Sequence, residues 1–382
     1  MLDPKFVTVL EGDILKPNLG LFGQELEILH RRVNIVVHSA SSISLVHPLN
    51  KLSKSIIGAS ESLANLGVEF QHLERFIYVS SAYSNSHLAQ AHGKGDTCVD
   101  EKIYNLSKSS KDVNNEWQEV QKTGSSIEYR SHNFPWAYGY AKHLTERLLY
   151  DIFANANLSG RLFLLRPSII GPAQAHPYPG FSLPLSTPMT LFQAATALTP
   201  SFQIRVATKY DIPEKEGTND QVPVDVVVDR LLVHLACGTS GPVHAVSGGL
   251  ARQTLAAAWR DACRVRNYPW TPRPKWVMDD WHSSNLHPIA RFYVILGTSY
   301  LFIEGKTTDL WNDCSDEELR DMELFTRSPD LPQDLSLKKH HIWYCMNRFG
   351  GKKLVTRVIT KLLYRSYRLE DPKRDILQAL SN

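Results

Sequence analysis

The residues whose types and spacing could do chemistry are Tyr138 and Lys142, which lie four positions apart. Around them Ala141, Leu144 and Leu148 recur at three- and four-residue spacing, which predicts an amphipathic helix with one buried stripe. On such a helix the tyrosine and the lysine lie one turn apart on one face. An ammonium beside a phenol lowers the tyrosine pKa from about 10 toward neutrality, where a general acid is most useful. Spacing alone favours a simpler interpretation, a half-buried tyrosine beside a solvated lysine, and the neighbouring segments reverse that preference.

Short apolar runs predict the elements that must position this pair. Residues 6–10, 33–40, 75–79 and 162–165 read as strands, and the near-continuous apolar character of 33–40 is typical of a parallel strand buried on both faces. A helix is expected through 56–66, and residues 84–134 read as an elaborated loop that carries two charged helical pieces. Strands that alternate with helices of this size predict an α/β fold with a doubly wound, Rossmann-like parallel sheet.

Polar residues lie at the ends of three of these predicted strands. Ser39 and Ala40 end the strand at 33–40, Ser80 and Ser81 follow the strand at 75–79, and Arg166, Pro167 and Ser168 follow the strand at 162–165. Ligands of doubly wound sheets bind off the carboxyl ends of the strands, so these residues are expected beside the tyrosine and lysine. A serine hydroxyl near the phenol can hold charge that develops on a substrate oxygen, although a serine pair taken singly is more often a turn former.

Length and composition narrow the class of protein. The 382 residues suit one large domain with an appendage, and the net charge of +3 gives no signal of nucleic-acid binding. Five scattered cysteines without a C-x-x-C pair fit a reducing compartment and argue against a disulfide framework or a zinc site. The sequence shows neither a signal peptide nor a run of 18 apolar residues, so we expect a cytoplasmic protein with no metal and no ordinary transmembrane span.

Seven segments, taken in order, resemble an extended short-chain dehydrogenase/reductase and, within that superfamily, the fatty acyl-CoA reductases of the male-sterility group. They are residues 11–21, 37–40, 79–85, 100–104, 138–142, 166–173 and 222–225. The resemblance implies reduction of a long-chain fatty acyl-CoA thioester by NADPH to an aldehyde or an alcohol. Another extended short-chain reductase, acting on a ketone, a sterol or a carrier-bound polyketide, is the alternative enzyme. A binding or regulatory remnant without turnover is the alternative outside enzymes.

The same resemblance assigns roles to individual residues. It implies Tyr138 as the proton donor, Lys142 as its modulator and ribose contact, and Ser81 as the hydroxyl partner. The cofactor-binding residues that it implies are Asp13 at the adenine, and Ser39, Ala40, Tyr138, Lys142, Pro167 and Ser168 toward the nicotinamide.

Two departures from the family pattern affect the cofactor. The family usually has an asparagine near position 55, where this chain has Ser55. Dinucleotide folds also carry a Gly-rich turn after the first strand, and no such strand–turn–helix motif occurs in this sequence. By the resemblance, the first two strands and the phosphate loop would lie upstream of Met1. We therefore expect an N-terminally truncated sheet, and a purified chain that binds NADPH poorly.

The sequence predicts two domains, with the boundary near residue 270. Residues 1–270 are expected to form the NAD(P)-binding reductase domain, and 271–382 a small, mostly helical region of which 301–351 loosely resemble the family's "sterile" domain. Within the first domain, residues 172–200 suit either a cap over a substrate pocket or plain connecting structure, and late strands are expected at 203–206 and 243–246. Residues 272–276 read as a linker, and 292–303 as a core helix or an interfacial segment.

A basic stretch near the end suggests a partner surface. Residues 338–375 hold eleven Lys and Arg against three acids, with apolar residues on one side. A basic amphipathic helix can lie on an anionic membrane, which would place the protein at the surface of the endoplasmic reticulum or peroxisome, or can attract the phosphates of coenzyme A. A solvated helix face is the equally favoured alternative. The oligomeric state is left open.

Overall fold

The computed structural model describes residues 6–91, 95–106, 112–183, 186–264, 266, 268–292, 294–315, 317 and 319–329. Its strands, in chain order, are β1 Ile35–His38, β2 Arg75–Val79, β3 Thr97–Val99, β4 Leu162–Pro167, β5 Ile169–Gly171, β6 Gln203–Ala207, β7 Thr218–Asn219, β8 Gln221–Pro223, β9 Gly241–Ala245, β10 Gln253–Thr254, β11 Arg273–Val277 and β12 Tyr300–Phe302. Its α-helices are α1 Gln24–Arg32, α2 Leu49–Ser53, α3 Ala59–Val68, α4 Leu88–Ala91, α5 Val113–Thr123, α6 Ile127–Ser131, α7 Ala137–Asn155, α8 Pro188–Leu198, α9 Pro213–Glu216, α10 Val224–Ala236, α11 Leu255–Cys263, α12 Pro288–Phe292 and α13 Gly305–Asp313. Short 3-10 turns lie at Pro17–Gly20, Ala82–Asn85, Ser159–Arg161 and Val294–Gly297, and a π-helical turn at Lys54–Gly58.

The central sheet consists of β1, β2, β4 and β9 side by side in that order, and each neighbouring pair is parallel. The register keeps the carboxyl ends of the strands level. His38 lies opposite Tyr78, and Tyr78 in turn lies opposite Leu164. Residues that follow β1, β2 and β4 therefore emerge along one edge of the sheet.

Successive side chains of the central strands are buried on opposite faces of the sheet, because the residues of a strand point alternately to one face and the other. On one face Phe76 of β2 packs with Phe153 of α7, their ring centroids 5.2 Å apart. On the other face Phe163 of β4 packs with Val226 and Val227 of α10. Helices cover both faces, so the predicted α/β fold with a doubly wound parallel sheet is confirmed.

The helix predicted around Tyr138 is α7, and its apolar stripe faces the protein interior as expected. Leu144 and Leu148 have no solvent exposure. The other predicted strands at 75–79, 162–165, 203–206 and 243–246 are β2, β4, β6 and β9, and the two charged helical pieces of the 84–134 region are α5 and α6.

Two expectations about the start of the chain are wrong. Residues 6–10 form no strand, and the Phe6 and Val9 side chains are each 87% exposed. Strand β1 is not buried on both faces, since Ile35 and Val37 are 45% and 49% exposed. The cause is shared: in the part of the chain that the structure describes, no strand pairs with the outer edge of β1.

Two expectations about the C-terminal third are also wrong. Residues 272–276 are not a linker but most of β11, which pairs in parallel with β6. Residues 292–303 do not form one helix; the chain makes a 3-10 turn at Val294–Gly297 and then β12, which pairs with β3. Gly297 lies so close to β6 that an added Cβ atom would overlap the Ala207 carbonyl oxygen. The division at residue 270 stays a prediction, although the β6–β11 pair crosses it.

The basic stretch at 338–375 and most of the region that resembles the "sterile" domain lie outside the described residues. Membrane contact through that stretch therefore stays a prediction. Among the described helices, none is both long enough and apolar enough to cross a bilayer.

The contact between Phe76 and Phe153 provides a test of the packing. Both side chains have no solvent exposure, so Phe153→Ala leaves a cavity and is expected to lower the free energy of unfolding by about 3–5 kcal/mol. Tyr150 lies three residues earlier on α7 and is 48% exposed, so Tyr150→Ala serves as the control, with an expected loss below about 1 kcal/mol. Urea unfolding of both variants measures the difference, and equal losses would contradict the packing described here.

Candidate active site

A cavity of about 390 Å³ opens where β1, β2 and β4 end; we call it the strand-end cavity. Its polar lining residues are Ser39, Ser41, Ser80, Ser81, Tyr138, Lys142, Ser168, Ser186 and Asn219. Its apolar lining includes Ile43, Leu45, Trp136, Pro167, Ile169, Ile170, Pro188, Met189 and Ile295. The polar groups thus gather at the strand ends, and apolar side chains from the segments around them form most of the wall.

Ser81 and Tyr138 meet in this cavity through the close approach of α7 to the turn that follows β2. The Ser81 hydroxyl caps that turn by accepting a hydrogen bond from the Tyr83 N–H at 3.2 Å, and it is near enough to the Tyr138 phenol to lower the phenol pKa. A glycine makes this approach feasible, because a Cβ atom at Gly139 would lie 3.2 Å from the Tyr83 carbonyl oxygen and 3.1 Å from the Ser86 hydroxyl. The Ser81 hydroxyl and the Tyr138 phenol therefore face the same cavity.

Lys142 lies one turn along α7, and its side chain is 2% exposed. Its Nζ donates a hydrogen bond to the Val79 carbonyl oxygen at 2.9 Å, and lies 4.7 Å from the ring centroid of Tyr78 and 5.9 Å from that of Tyr138. Burial lowers the pKa of Lys142 to about 7, and the Glu146 carboxylate one turn further along offsets part of that shift.

The expected lowering of the Tyr138 pKa is wrong for this arrangement. Burial raises the pKa of Tyr138 to about 12, and the Ser81 hydroxyl offsets only part of the rise. The physical reason is that burial removes hydration from a phenolate, and the Lys142 ammonium does not offset that loss. That ammonium is directed at Val79, and its own pKa is near neutrality.

The side chains behind Lys142 are neutral at pH 7. His38, at the end of β1, is 3% exposed, and its Nε2 lies 2.9 Å from the Ser60 hydroxyl. Burial and, to a smaller extent, the Lys142 cation lower the pKa of His38 to about 4. Burial likewise raises the pKa of Tyr78, so neither ring carries charge near the amine.

Sequence reasoning missed Glu146, which is 2% exposed and lies behind the cavity. Its Oε1 accepts hydrogen bonds from the Ser80 hydroxyl at 2.5 Å and from Arg166 Nε at 3.0 Å, and its Oε2 accepts one from Arg166 Nη2 at 2.7 Å. The spacing of four from Lys142 was readable from the sequence. The contacts with the ends of β2 and β4 were not, because they depend on the assembled sheet.

The structure gathers most of the predicted site residues but not all of them. Ser39, Ser81, Tyr138, Lys142, Pro167 and Ser168 line the strand-end cavity. Ala40 is exposed beside it and does not line it. Asp13 also lies outside the cavity; its carboxylate is 45% exposed and accepts a hydrogen bond from the Leu15 N–H at 2.9 Å. The roles of all these residues stay predictions.

Within the described ranges no group of three or more His, Cys, Asp or Glu residues could hold a metal ion.

Comparisons with known proteins agree on one family. Residues 3–231 match the family model described as "Male sterility protein". Fatty acyl-CoA reductase 1 of Homo sapiens is 25% identical over 228 residues, and that of Xenopus laevis is 24% identical over 228 residues. Each alignment covers 59% of this chain and 40% of the relative, so the chain spans less than half the length of these relatives. Among solved structures, the terminal R domain from the myxalamid PKS-NRPS biosynthetic pathway is similar in fold, with a TM-score of 0.52, 14% identity, and coverage of 90% of this chain and 76% of that one.

The lowered Lys142 pKa predicts a specific dependence of stability on pH. The unfolded chain holds the Lys142 proton to about pH 10.5, whereas the folded chain releases it near pH 7. Below pH 7 both states are protonated, so burial of the cation destabilises the fold; as pH rises from 7 toward 10 that cost is removed. Relative to Lys142→Met, the wild type is therefore expected to gain up to roughly 3 kcal/mol of unfolding free energy over this interval. Urea unfolding of both proteins at several pH values measures the gain, and parallel pH profiles would contradict the buried amine.

Proposed function

The chain belongs to the male sterility protein family, and from this premise we propose that it reduces long-chain fatty acyl-CoA thioesters with NADPH. The observation that carries the proposal is the meeting of three groups in one largely apolar cavity. The Ser81 hydroxyl and the Tyr138 phenol line this cavity together, and the Lys142 Nζ lies 5.9 Å from the centroid of the phenol ring.

The residues of the strand-end cavity fit the nicotinamide end of the cofactor. Ser39 and Lys142 offer polar groups for a ribose, while Pro167 and Ile169 offer apolar surface for a flat ring. The fit does not extend to the pyrophosphate, since the turn after β1, residues 39–44, contains no glycine that would let the backbone approach it. When bound, the nicotinamide would supply hydride to the thioester carbonyl carbon; with one proton on the oxygen this gives a hemithioacetal, whose carbon–sulfur bond then breaks to release coenzyme A as the thiol and leave an aldehyde.

Tyr138 is suited to be the acid of this reaction. Its pKa of about 12 keeps the phenol protonated at neutral pH, so a proton is available as the carbonyl oxygen becomes negative. The Ser81 hydroxyl, placed beside the phenol, can hydrogen-bond the same oxygen and stabilise its developing charge. After the proton has moved, an ammonium at Lys142 stabilises the phenolate that remains.

The apolar wall supports an acyl chain as the other part of the substrate. Ile43 and Leu45 from the loop after β1 face the same cavity as Met189 at the start of α8 and Ile295. Each methylene of a bound chain that leaves water contributes roughly 0.8 kcal/mol to binding. The cavity therefore favours a long hydrocarbon chain over a small polar carbonyl compound, and α8 is proposed as part of the substrate cap.

The first test compares two tyrosines of α7. Tyr138→Phe removes the proton donor and is expected to lower kcat by about 10²–10³-fold. Tyr140 is also buried, but its hydroxyl bonds with Ser126 and Glu116 and it does not line the cavity, so Tyr140→Phe is the control and should stay within about threefold. The assay follows oxidation of NADPH by the 382-residue chain with palmitoyl-CoA, and thermal unfolding checks that both variants are folded.

A second hydride donor separates chemistry from cofactor affinity. Reduced nicotinamide mononucleotide lacks the adenylate half, so its use does not depend on a phosphate loop or on Asp13. We expect acyl-CoA-dependent oxidation of this donor, and of NADPH in preference to NADH, with a high KM for the dinucleotide. Oxidation that requires a ketone instead of palmitoyl-CoA would favour the alternative reductase. Failure with every donor, or full activity in Tyr138→Phe, would overturn the proposal.

A further inference from the structure

Glu146 contacts three elements of the active site without entering the strand-end cavity. It belongs to α7, and its carboxylate accepts hydrogen bonds from Ser80 and Ser84, which follow β2, and from Arg166, the penultimate residue of β4. The Glu146 and Arg166 side chains are 2% and 0% exposed, so solvent does not screen the pair. One buried carboxylate therefore joins the helix to the ends of two neighbouring strands.

Each contact lies beside a residue of the proposed catalytic site. Ser80 directly precedes Ser81, Arg166 directly precedes Pro167, and Glu146 follows Lys142 by one helical turn. Arg166 also donates to the Lys102 carbonyl oxygen at 2.9 Å, which fixes the guanidinium from its other side. A shift of α7 against either strand would have to break a charged hydrogen bond in a dry environment, where such bonds are strong.

Stability alone does not account for this arrangement. Burying an ion pair costs so much desolvation that a protein with hydrophobic residues of similar volume in its place is often as stable or more stable. The directional hydrogen bonds of the pair, in contrast, specify one position of the helix relative to the strands. The nearby pair of Glu116 and Arg147, 2.8 Å apart, is also buried and also involves α7, but neither residue lines the cavity or contacts a strand end that does. The two pairs thus differ in what they hold in place.

We propose that Glu146 is a positioning residue of the reductase site, whose carboxylate sets the spacing between Ser81 on the β2 turn, the Tyr138–Lys142 pair on α7, and Pro167 at the end of β4. The proposal rests on the reductase function proposed above. It also gives Glu146 a charge role, because the groups around the Lys142 amine are His38 from β1, Tyr78 from β2, and Tyr138 and Glu146 from α7 itself. Of these four, the first three are neutral at pH 7, so Glu146, which is also paired with Arg166, is the negative group that attracts the Lys142 cation.

The test removes the charge of Glu146 and its hydrogen bonds to the β2 end in separate variants. Glu146→Gln keeps the shape and can still accept a hydrogen bond from Ser80, but it removes the charge; Glu116→Gln makes the same change in the control pair. The double variant Ser80→Ala/Ser84→Ala is the second protein, since both serines donate to Glu146 Oε1 and their removal detaches the β2 end while the ion pair with Arg166 stays intact. For each protein, kcat and KM for palmitoyl-CoA are measured against pH, and unfolding in urea confirms the fold.

Glu146→Gln is expected to lower kcat roughly tenfold or more with KM within about threefold, because displaced groups weaken the transition state more than ground-state binding. Its activity should also decline at a pH about one unit lower than that of the wild type, since Lys142 loses its proton more readily without the carboxylate. Ser80→Ala/Ser84→Ala should show the loss of kcat without the pH shift. Glu116→Gln should show neither effect.

A readout that needs no turnover separates this inference from the proposed function. The Lys142 ¹³Cε chemical shift, assigned with Lys142→Arg, reports the titration of the amine directly by NMR. If the wild type reduces no substrate, the proposed function fails, and a titration midpoint lowered only in Glu146→Gln would still support the placement of the charge. An unchanged midpoint in Glu146→Gln, or equal effects of Glu146→Gln and Glu116→Gln on kcat and its pH profile, would overturn the inference.

Discussion

The packing of α7 against the carboxyl ends of β2 and β4 is the interaction on which the rest of the structure depends. A parallel sheet in register brings its strand ends to one edge, but it does not by itself place a helix there. Gly139 permits the close approach to the turn after Ser81, and Glu146 joins the same helix to both strands. Tyr138 and Lys142 reach the cavity only because this contact is made.

Burial has opposite consequences for the two titratable groups of that helix. The phenol of Tyr138 is held in its protonated form, whereas the Lys142 amine is brought to a pKa of about 7, where it exchanges its proton readily. The same dry environment favours hydrocarbon along the apolar wall of the cavity. In such a site the neutral phenol can donate a proton, and the nearby amine can carry the positive charge that compensates the phenolate left behind. This arrangement suits the proposed reduction of a carbonyl group attached to a long hydrocarbon chain.

Local patterns in the sequence predicted some parts of this molecule well. The periodicity of α7 and the apolar runs of β2 and β4 are properties of short segments, and these elements appear where the pattern places them. Strand β11 was mistaken for a linker, and residues 6–10 for a strand, because pairing depends on partners distant in sequence or absent from the described sheet. The direction of the Tyr138 pKa was wrong for a related reason: spacing reveals a neighbouring cation, but not how deeply the phenol is buried.

The hydrogen bond from Lys142 to the Val79 carbonyl oxygen has a chemical consequence of its own. An amine with a pKa near 7 is about half unprotonated at neutral pH, and that unprotonated fraction is a nucleophile that condenses with aldehydes to form a Schiff base. A reductase that produced a fatty aldehyde would thus expose its own lysine to the product. The bond holds the nitrogen at the Val79 carbonyl oxygen, 5.9 Å from the Tyr138 ring centroid and therefore at a distance from the place where that aldehyde would form.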